Sequence, residues 1–163
     1  MNEYRERLLG LLGKDSPFEV LEATPGRVAS LVERMGEKGL SIRFGPGKWT
    51  GRQVVGHLAD VEIGTGFRVR QMVSEPGHVI QPYDQDAWAR LNPRRDAGIA
   101  VRSLAALRAW NLALYRSLSP EDLARVAMHP ERGEESVETT IRMHAGHDRN
   151  HLAQLELILA RVG

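Results

Sequence analysis

The sequence predicts an all-α protein built as a four-helix bundle, with long connections and short extra N-terminal helices. Three observations favour this class: apolar residues recur every three or four positions along extended segments, capping signals precede those segments, and no stretch has a convincing strand pattern. Four segments are long enough to pack around one core. With 163 residues the chain suits one domain, and we expect residues 1–163 to form it.

The N-terminal part predicts a series of helices with breaks between them. Residues 3–12 are rich in leucine and precede a glycine, which is a common helix stop. The Ser-Pro-Phe-Glu of residues 16–19 is a capping box that begins the next helix, and the Thr-Pro-Gly-Arg of residues 24–27 gives a second start. We therefore expect this helix to be broken near Thr24 and to end at Gly36.

The second long helix begins at a capping box in residues 50–53 and extends to about Ser74. His57 lies on its apolar face, one to two turns inside the helix. Residues 77–95 then form a long connection, with a helical turn at 84–91, that is either an antiparallel return or a crossover. Long connections in compact domains often carry function.

Two further helices complete the predicted bundle, the first capped by Asp96 and the last by Ser136. The apolar face of the first contains Ile99, Leu104, Leu107, Trp110, Leu114 and Leu118. One side of the last contains Thr140, Met143, His147, His151, Leu155, Ile158 and Val162. Residues 129–134 between them predict a turn or loop, so His129, like His78, is expected to be a loop residue.

The histidines of the last helix are the first candidates for a metal site. His147 and His151 stand four residues apart, so their imidazoles lie on one helical face, one turn apart. Such pairs bind metal ions in known helical sites, and a third candidate, His57, faces the core of the predicted bundle. Three protein ligands with an open position are typical of catalytic metal sites, whereas structural sites are closed by four.

The spacing leaves two alternatives open. A single histidine on an apolar helical face is more often a core residue than a ligand, which weighs against His57. His144 also falls near the face that carries His147 and His151, so the spacing does not decide which two of these bind.

The composition argues against several classes of function. The net charge is +1 and no basic stripe is present, which argues against nucleic-acid binding. The absence of cysteine removes disulfides, thiolate ligands and a cysteine nucleophile. No apolar run is long enough to span a bilayer and the N-terminus lacks the pattern of a signal peptide, so we expect a cytoplasmic protein without a membrane partner.

The chain resembles the DinB/YfiT-like superfamily over nearly its whole length. Residues 48–60, KWTGRQVVGHLAD, are similar to the second-helix motif of that family, and residues 144–155, HAGHDRNHLAQL, resemble its last-helix motif. Residues 82–84 with Trp88, and residues 129–134, are similar to its smaller landmarks.

This resemblance implies a four-helix bundle, often a homodimer, with one divalent metal ion per chain. Carried over by position, the ligands are His57, His147 and His151, which leaves His144 as a neighbour. Zinc or nickel ranks before iron or manganese as the expected ion.

The resemblance also implies an enzyme. Relatives in the superfamily include transferases that use bacillithiol or mycothiol, so the first hypothesis is transfer of a low-molecular-weight thiol cosubstrate to an electrophilic small-molecule substrate. Asp60, one turn from His57, is a candidate to orient that histidine, the alternative being a solvated helix residue. Arg68 and Arg70 are candidates to meet carboxylates of the thiol.

Hydrolysis by water activated at the metal is the second hypothesis, and a metal-stabilised stress protein without activity is the third. Hydrolysis requires a carboxylate as base. Asp60, Glu62 and Asp148 are candidates, but helical phase places Glu62 and Asp148 away from the histidine faces. Tyr83 and Trp88, in the long connection, are expected in a pocket or a dimer interface.

Overall fold

Four long helices form the body of the protein, seen in a computed structural model that describes residues 3–75, 77–91 and 96–162. The elements of these ranges are α1 (Glu3–Leu12), α2 (Pro17–Ser41), α3 (Gly51–Ser74), α4 (Gln85–Ala89), α5 (Ala97–Ser117), α6 (Pro120–Ala124), β1 (Val126–His129), β2 (Gly133–Ser136) and α7 (Val137–Leu159). The predicted all-α four-helix bundle is confirmed, with a two-stranded sheet added to it. None of the described helices has the length and apolar character needed to cross a membrane.

Two hydrophobic clusters at opposite ends of the bundle reveal its topology. The first joins the N-terminal halves of α3 and α5 to the C-terminal halves of α2 and α7, and includes Val54, Leu58, Ala100, Leu104, Leu31, Met35, Leu155 and Ile158. The second joins the opposite halves and includes Val69, Met72, Leu112, Tyr115, Leu21, Ile141 and Ala145. Hence α3 runs parallel to α5, α2 runs parallel to α7, and the two pairs are antiparallel. The connection between α3 and α5 is therefore a crossover.

Helix α2 continues through the position where the sequence predicts a break. Pro25 lies inside the helix, and the non-helical residue is Gly36, with φ of 53°. A proline cannot donate to the carbonyl four residues before it. That carbonyl, on Leu21, instead accepts a hydrogen bond from Arg108 Nη1 on α5 at 2.5 Å. The expected break near Thr24 was wrong because a side chain from another helix satisfies the group that Pro25 leaves open.

The segment before α7 is a β-hairpin rather than the predicted turn or loop. Strands β1 and β2 pair antiparallel with Val126 opposite Ser136 and His129 opposite Gly133, whose φ is 77°. His129 is buried, and its Nδ1 accepts from the backbone N–H of Glu131 at 3.1 Å. Four-residue strands are too short to show a clear period of two, so the sequence pattern missed them.

The exposed and buried faces of α5 also differ from the predicted stripe. Trp110 is 68% exposed and Ile99 is also exposed, whereas Arg108 and Asn111 are buried. The prediction followed apolar residues, but this helix directs polar side chains inward to meet polar groups of α3 and α7. In the long connection, the predicted helical turn is present as α4, and residues 92–95, at the end of the predicted connection, lie outside the described ranges.

Candidate metal centre

Three histidines from two helices converge at one point in the bundle. Helix α3 contributes His57, less than two turns after the capping box of Thr50 and Gln53, and α7 contributes His147 and His151. All three side chains are buried, His57 being 1% exposed. His147 Nε2 lies 2.9 Å from His57 Nε2 and 3.0 Å from His151 Nε2. One ligand atom from each residue thus lies within 4.8 Å of the other two.

A hydrogen bond at His151 orients a nitrogen lone pair of that ring toward the other two rings. His151 Nδ1 lies 2.8 Å from Gln154 Oε1. The amide oxygen only accepts, so His151 carries its proton on Nδ1 and presents the Nε2 lone pair to the other rings. The Nδ1 atoms of His57 and His147 have no hydrogen-bond partner among the described residues.

Three Nε2 atoms lie close together, and a single N–H on His147 Nε2 cannot donate a hydrogen bond to both of the other nitrogens. A cation at their centre would interact favourably with all three lone pairs. Zinc–nitrogen bonds of about 2.0–2.1 Å in a tetrahedron separate ligand nitrogens by about 3.3 Å. The observed distances of 2.9 and 3.0 Å reach that spacing with small outward shifts of the rings. The donor set therefore fits a divalent metal ion.

Burial keeps the three imidazoles in the form that binds metal. It lowers the pKa of His57 and of His147 well below the usual histidine value, and repulsion from His151 adds to both shifts. The pKa of His151 is lowered to about 4, mainly by burial, against the opposing effect of its hydrogen bond to Gln154. At neutral pH the three rings are uncharged, as metal-ligating histidines must be.

Trp49 forms a wall of the centre. Its ring meets the edge of the His57 ring at a centroid distance of 4.7 Å and stacks on His151 at 6.0 Å with an interplanar angle of 8°. Its Nε1 donates to Asp86 Oδ1 at 2.9 Å, which links this wall to α4. The indole therefore limits access of water from this side.

His144 lies apart from the three-histidine group, which resolves the ambiguity of spacing on α7. Its Nε2 is 3.0 Å from Glu62 Oε1, in a buried polar cluster. Arg108 occupies the middle of that cluster and donates to Glu62 at 2.7 Å and to Asp148 at 2.7 Å. Glu62 and Asp148 are thus engaged with Arg108, which agrees with helical phase placing them away from the histidine faces.

Asp60 is buried, at 7% exposure, so the expectation of a solvated helix residue was wrong. The other expectation, that Asp60 orients His57, stays a prediction. In the structure His57 Nδ1 forms no hydrogen bond with any described residue, Asp60 included.

A cavity of about 460 Å³ extends from the histidines. At the end beside the three histidines, which we call the inner end, the lining residues are His57, His147, His144, Met143, Thr140 and Val61. At the end beside Arg68, which we call the outer end, they are Arg68, Tyr83, Tyr4, His129, Arg132 and Glu135. The centre is therefore open to a small molecule on one side.

The sequence predicted some of the residues that line this cavity. Tyr83 was expected in a pocket and lines it, and Trp88 stacks on Tyr83 at 4.4 Å. Tyr4, Arg132 and Glu135 were missed because they come from the N-terminal helix and the hairpin. Helical phase on α3 was the one available signal, and it concerns Arg68. This residue is eleven positions after His57 and therefore returns to the same face of the helix.

A helical bundle in which facing helices bring three buried, uncharged imidazoles to the end of a cavity has the architecture of a metal-site bundle. The comparison with protein families agrees with this class. Residues 20–155 match the family model described as the DinB superfamily, and the chain belongs to that superfamily.

Two relatives and one solved structure are similar over most of their lengths. The protein named “Putative metal-dependent hydrolase OB0782” of Oceanobacillus iheyensis is 32% identical, with 86% of this chain and 83% of that protein covered. “Putative metal-dependent hydrolase YfiT” of Bacillus subtilis is 32% identical, with 92% and 86% covered. The solved structure of YfiT from Bacillus subtilis, described as “a probable metal-dependent hydrolase with an unusual four-helix bundle topology”, has a TM-score of 0.85 at 29% identity, over 89% of this chain and 85% of that one.

Proposed function

We propose that this protein is a divalent-metal-dependent enzyme that transfers a low-molecular-weight thiol to an electrophilic small molecule. His57, His147 and His151 would hold one ion per chain. The observation that carries the proposal is the convergence of three buried Nε2 atoms at the inner end of a cavity. The names of the two relatives, which describe metal-dependent hydrolases, support the metal part of it.

The ion would supply Lewis-acid chemistry, which favours the thiolate of a thiol beside it. The chain itself would hold and orient the reactants. The buried rings keep their lone pairs free of protons, Trp49 covers one side of the centre, and the cavity admits the substrate from the other. Because the chain has no cysteine, the sulfur nucleophile must come from a cosubstrate.

Thiol transfer ranks before hydrolysis because the buried carboxylate among the described residues that line the cavity, Glu135, already accepts two hydrogen bonds from Arg132, at 2.5 and 2.9 Å. Glu62, another candidate base, lies outside that lining and is held by Arg108 and His144. A thiol beside a metal loses its proton readily and needs less help from a base. The names of the relatives favour hydrolysis, which is the second candidate.

The first experiment measures metal content by mass spectrometry on protein purified without a His-tag. We expect about one divalent ion per chain, and loss of that ion in His57→Ala and His147→Ala, while circular dichroism retains the helical signal. His78→Ala, a histidine outside the centre, serves as the matched control and keeps the metal. Wild-type protein that binds no ion, even after refilling with zinc or nickel, would overturn both enzymatic candidates.

Assays on the loaded protein then separate the candidates. Conjugation of a thiol to an electrophile that requires both metal and thiol supports the transferase. Cleavage of an ester or amide without a thiol supports the hydrolase. Absence of both activities, together with a large fall in Tm on chelation, would indicate a protein that the metal only stabilises.

Several expectations of the sequence stay predictions. Zinc or nickel as the ion, ahead of iron or manganese, is tested by the same mass spectra. The homodimer is tested by light scattering coupled to size-exclusion chromatography. Cytoplasmic location and a small-molecule partner, rather than nucleic acid, complete the proposal.

A further inference from the structure

The cavity beside the three histidines has a basic outer end. His57, Val61, Thr65 and Arg68 follow one another on one face of α3, and all four line the cavity. Eleven residues of helix separate the first from the last, which is about 16 Å along the axis at 1.5 Å per residue. Both ends of the cavity are thus built on one rigid helix.

Arg68 has no carboxylate partner within ion-pair distance among the residues that the structure describes. Its Nη2 donates to the backbone carbonyl of Gln81 at 3.2 Å, and its guanidinium lies 5.2 Å from the centre of the Tyr83 ring. A half-buried guanidinium with several donors and no counter-ion is costly unless an anion meets it. Burial lowers the pKa of Arg68, which reflects this environment, yet the group stays charged at neutral pH.

The neighbouring charges do not neutralise Arg68. Glu135 is the buried carboxylate of this end, and it is already held by Arg132 at 2.5 Å, with Arg5 at 3.7 Å. Two other carboxylates that line the cavity, Asp84 and Glu131, are exposed to water, which screens them. The enclosed part of the outer end therefore has an excess of positive charge.

Packing holds Arg68 in place. Tyr83 lies against α3 where the chain has a glycine: a Cβ at Gly64 would be 3.0 Å from Tyr83 Cε1. Tyr83 also stacks on the ring of Trp88, with the ring centroids 4.4 Å apart. These contacts fix the Tyr83 ring, and the Arg68 guanidinium lies over that ring in a cation–π position.

We propose that Arg68, supported by Tyr83, forms an anion-binding subsite that takes a carboxylate or phosphate group of a small organic ligand. The reacting group of that ligand then lies at the three-histidine end, so the assignment of the ligand as a substrate rests on the proposed function. Along the axis of α3, His57 and Arg68 are about 16 Å apart, which sets the approximate length of such a ligand.

Binding to the full-length, metal-free protein tests the subsite directly, because a metal ion would itself attract carboxylates. Calorimetric titration with succinate and with inorganic phosphate measures the affinity, and succinamide is the uncharged comparison. We expect binding of at least one anion, no binding of succinamide, and roughly tenfold weaker anion binding in Arg68→Gln. Arg68→Lys keeps the charge but loses the planar set of guanidinium donors and recovers only part of the affinity.

Arg70→Gln is the matched control. Arg70 is on the same helix and was the second candidate to meet carboxylates, but it does not line the cavity and donates to Asn111 at 2.9 Å. It leaves anion binding unchanged. Equal anion affinity in wild type and in a folded Arg68→Gln, or no binding of either anion to the wild type, overturns the subsite.

The subsite and the metal proposal can fail separately. His57→Ala removes the metal in our proposal and retains anion binding, whereas Arg68→Gln removes anion binding and retains about one ion per chain. A protein that binds anions through Arg68 but never binds metal would keep the subsite and refute the enzyme. A protein that binds metal but not anions would refute the subsite and leave the metal-dependent enzyme in place.

Discussion

Arg108 on α5 donates through Nε to Glu62 Oε1 on α3 at 2.7 Å, and both side chains are almost completely removed from water. The same guanidinium donates to Asp148 on α7 at 2.7 Å and to the Leu21 carbonyl on α2 at 2.5 Å. One side chain therefore joins all four long helices. A buried charge of this kind is stable only while its partners are present.

Replacing Arg108 with methionine should destabilise the protein by about 3–5 kcal/mol, because Glu62 and Asp148 remain buried without their cation. Urea denaturation followed by circular dichroism measures the change. Arg116→Met on the same helix is the control, since its pair with Glu22 at 2.8 Å is half exposed. That variant should lose less than about 1 kcal/mol. Equal losses in the two variants would contradict a special role of the buried cluster.

The stability of the fold should decrease in acid through Glu62. Burial raises the pKa of this carboxyl, but His144 and Arg108 outweigh burial and bring the pKa to about 2, below its usual value of 4.5. A carboxyl whose folded pKa is depressed stabilises the native state fully above its unfolded pKa and loses that contribution as the pH falls toward its folded pKa. We expect the free energy of unfolding to fall between about pH 4.5 and pH 2. Glu62→Gln, if folded, should flatten this dependence, and an unchanged slope would refute the assignment.

Gly146 should be irreplaceable because helix α1 crosses α7 there. A Cβ at Gly146 would lie 2.0 Å from the backbone oxygen of Leu8, so Gly146→Ala must displace α1. Its Tm should fall, and amide exchange in α1 should accelerate. Gly10→Ala, where a Cβ meets nothing within 4 Å, should instead be neutral or stabilise by up to about 1 kcal/mol. Similar effects at the two glycines would show that α1 does not dock as described.

The exposure of Trp110 predicts a small effect on stability. Trp110→Ser should change the free energy of unfolding by about 0.5 kcal/mol or less, as is usual for surface positions. Leu104→Ala on the same helix removes a fully buried side chain and should cost about 2–5 kcal/mol. Chemical denaturation of both variants measures the difference. A large loss for Trp110→Ser would restore the original expectation that this ring belongs to the core.

The long helices and the cluster of three histidines could be predicted because they depend largely on local signals. Capping residues define the starts of α3 and α7, and an i, i+4 pair shares a face whatever the tertiary structure is. The choice between His144 and the pair His147 and His151 needed the resemblance, since all three fall near one face. The structure then separated them by the partner of each ring.

The features that the sequence did not predict depend on contacts between distant segments. Helix α2 continues through Pro25 because Arg108, 87 residues after Leu21, donates to the Leu21 carbonyl. The inward face of α5 is polar because α3 and α7 present Glu62 and Asp148 to it, and a hydropathy pattern cannot register partners on other helices. Each strand of the hairpin has four residues, which is too few to show the two-residue period of a β-strand.

The long sequence separation between α3 and α7 determines when the site can assemble. His57 and His147 are 90 residues apart in sequence. The ion pair between Arg27 and Glu156 closes a loop of 129 residues. Contacts of such long range form late, since closing a loop costs entropy that grows with its length. A nascent chain or a truncated product that lacks α7 has only one of the three imidazoles. The three imidazoles therefore come together only after α7 has been synthesised and has packed against α3.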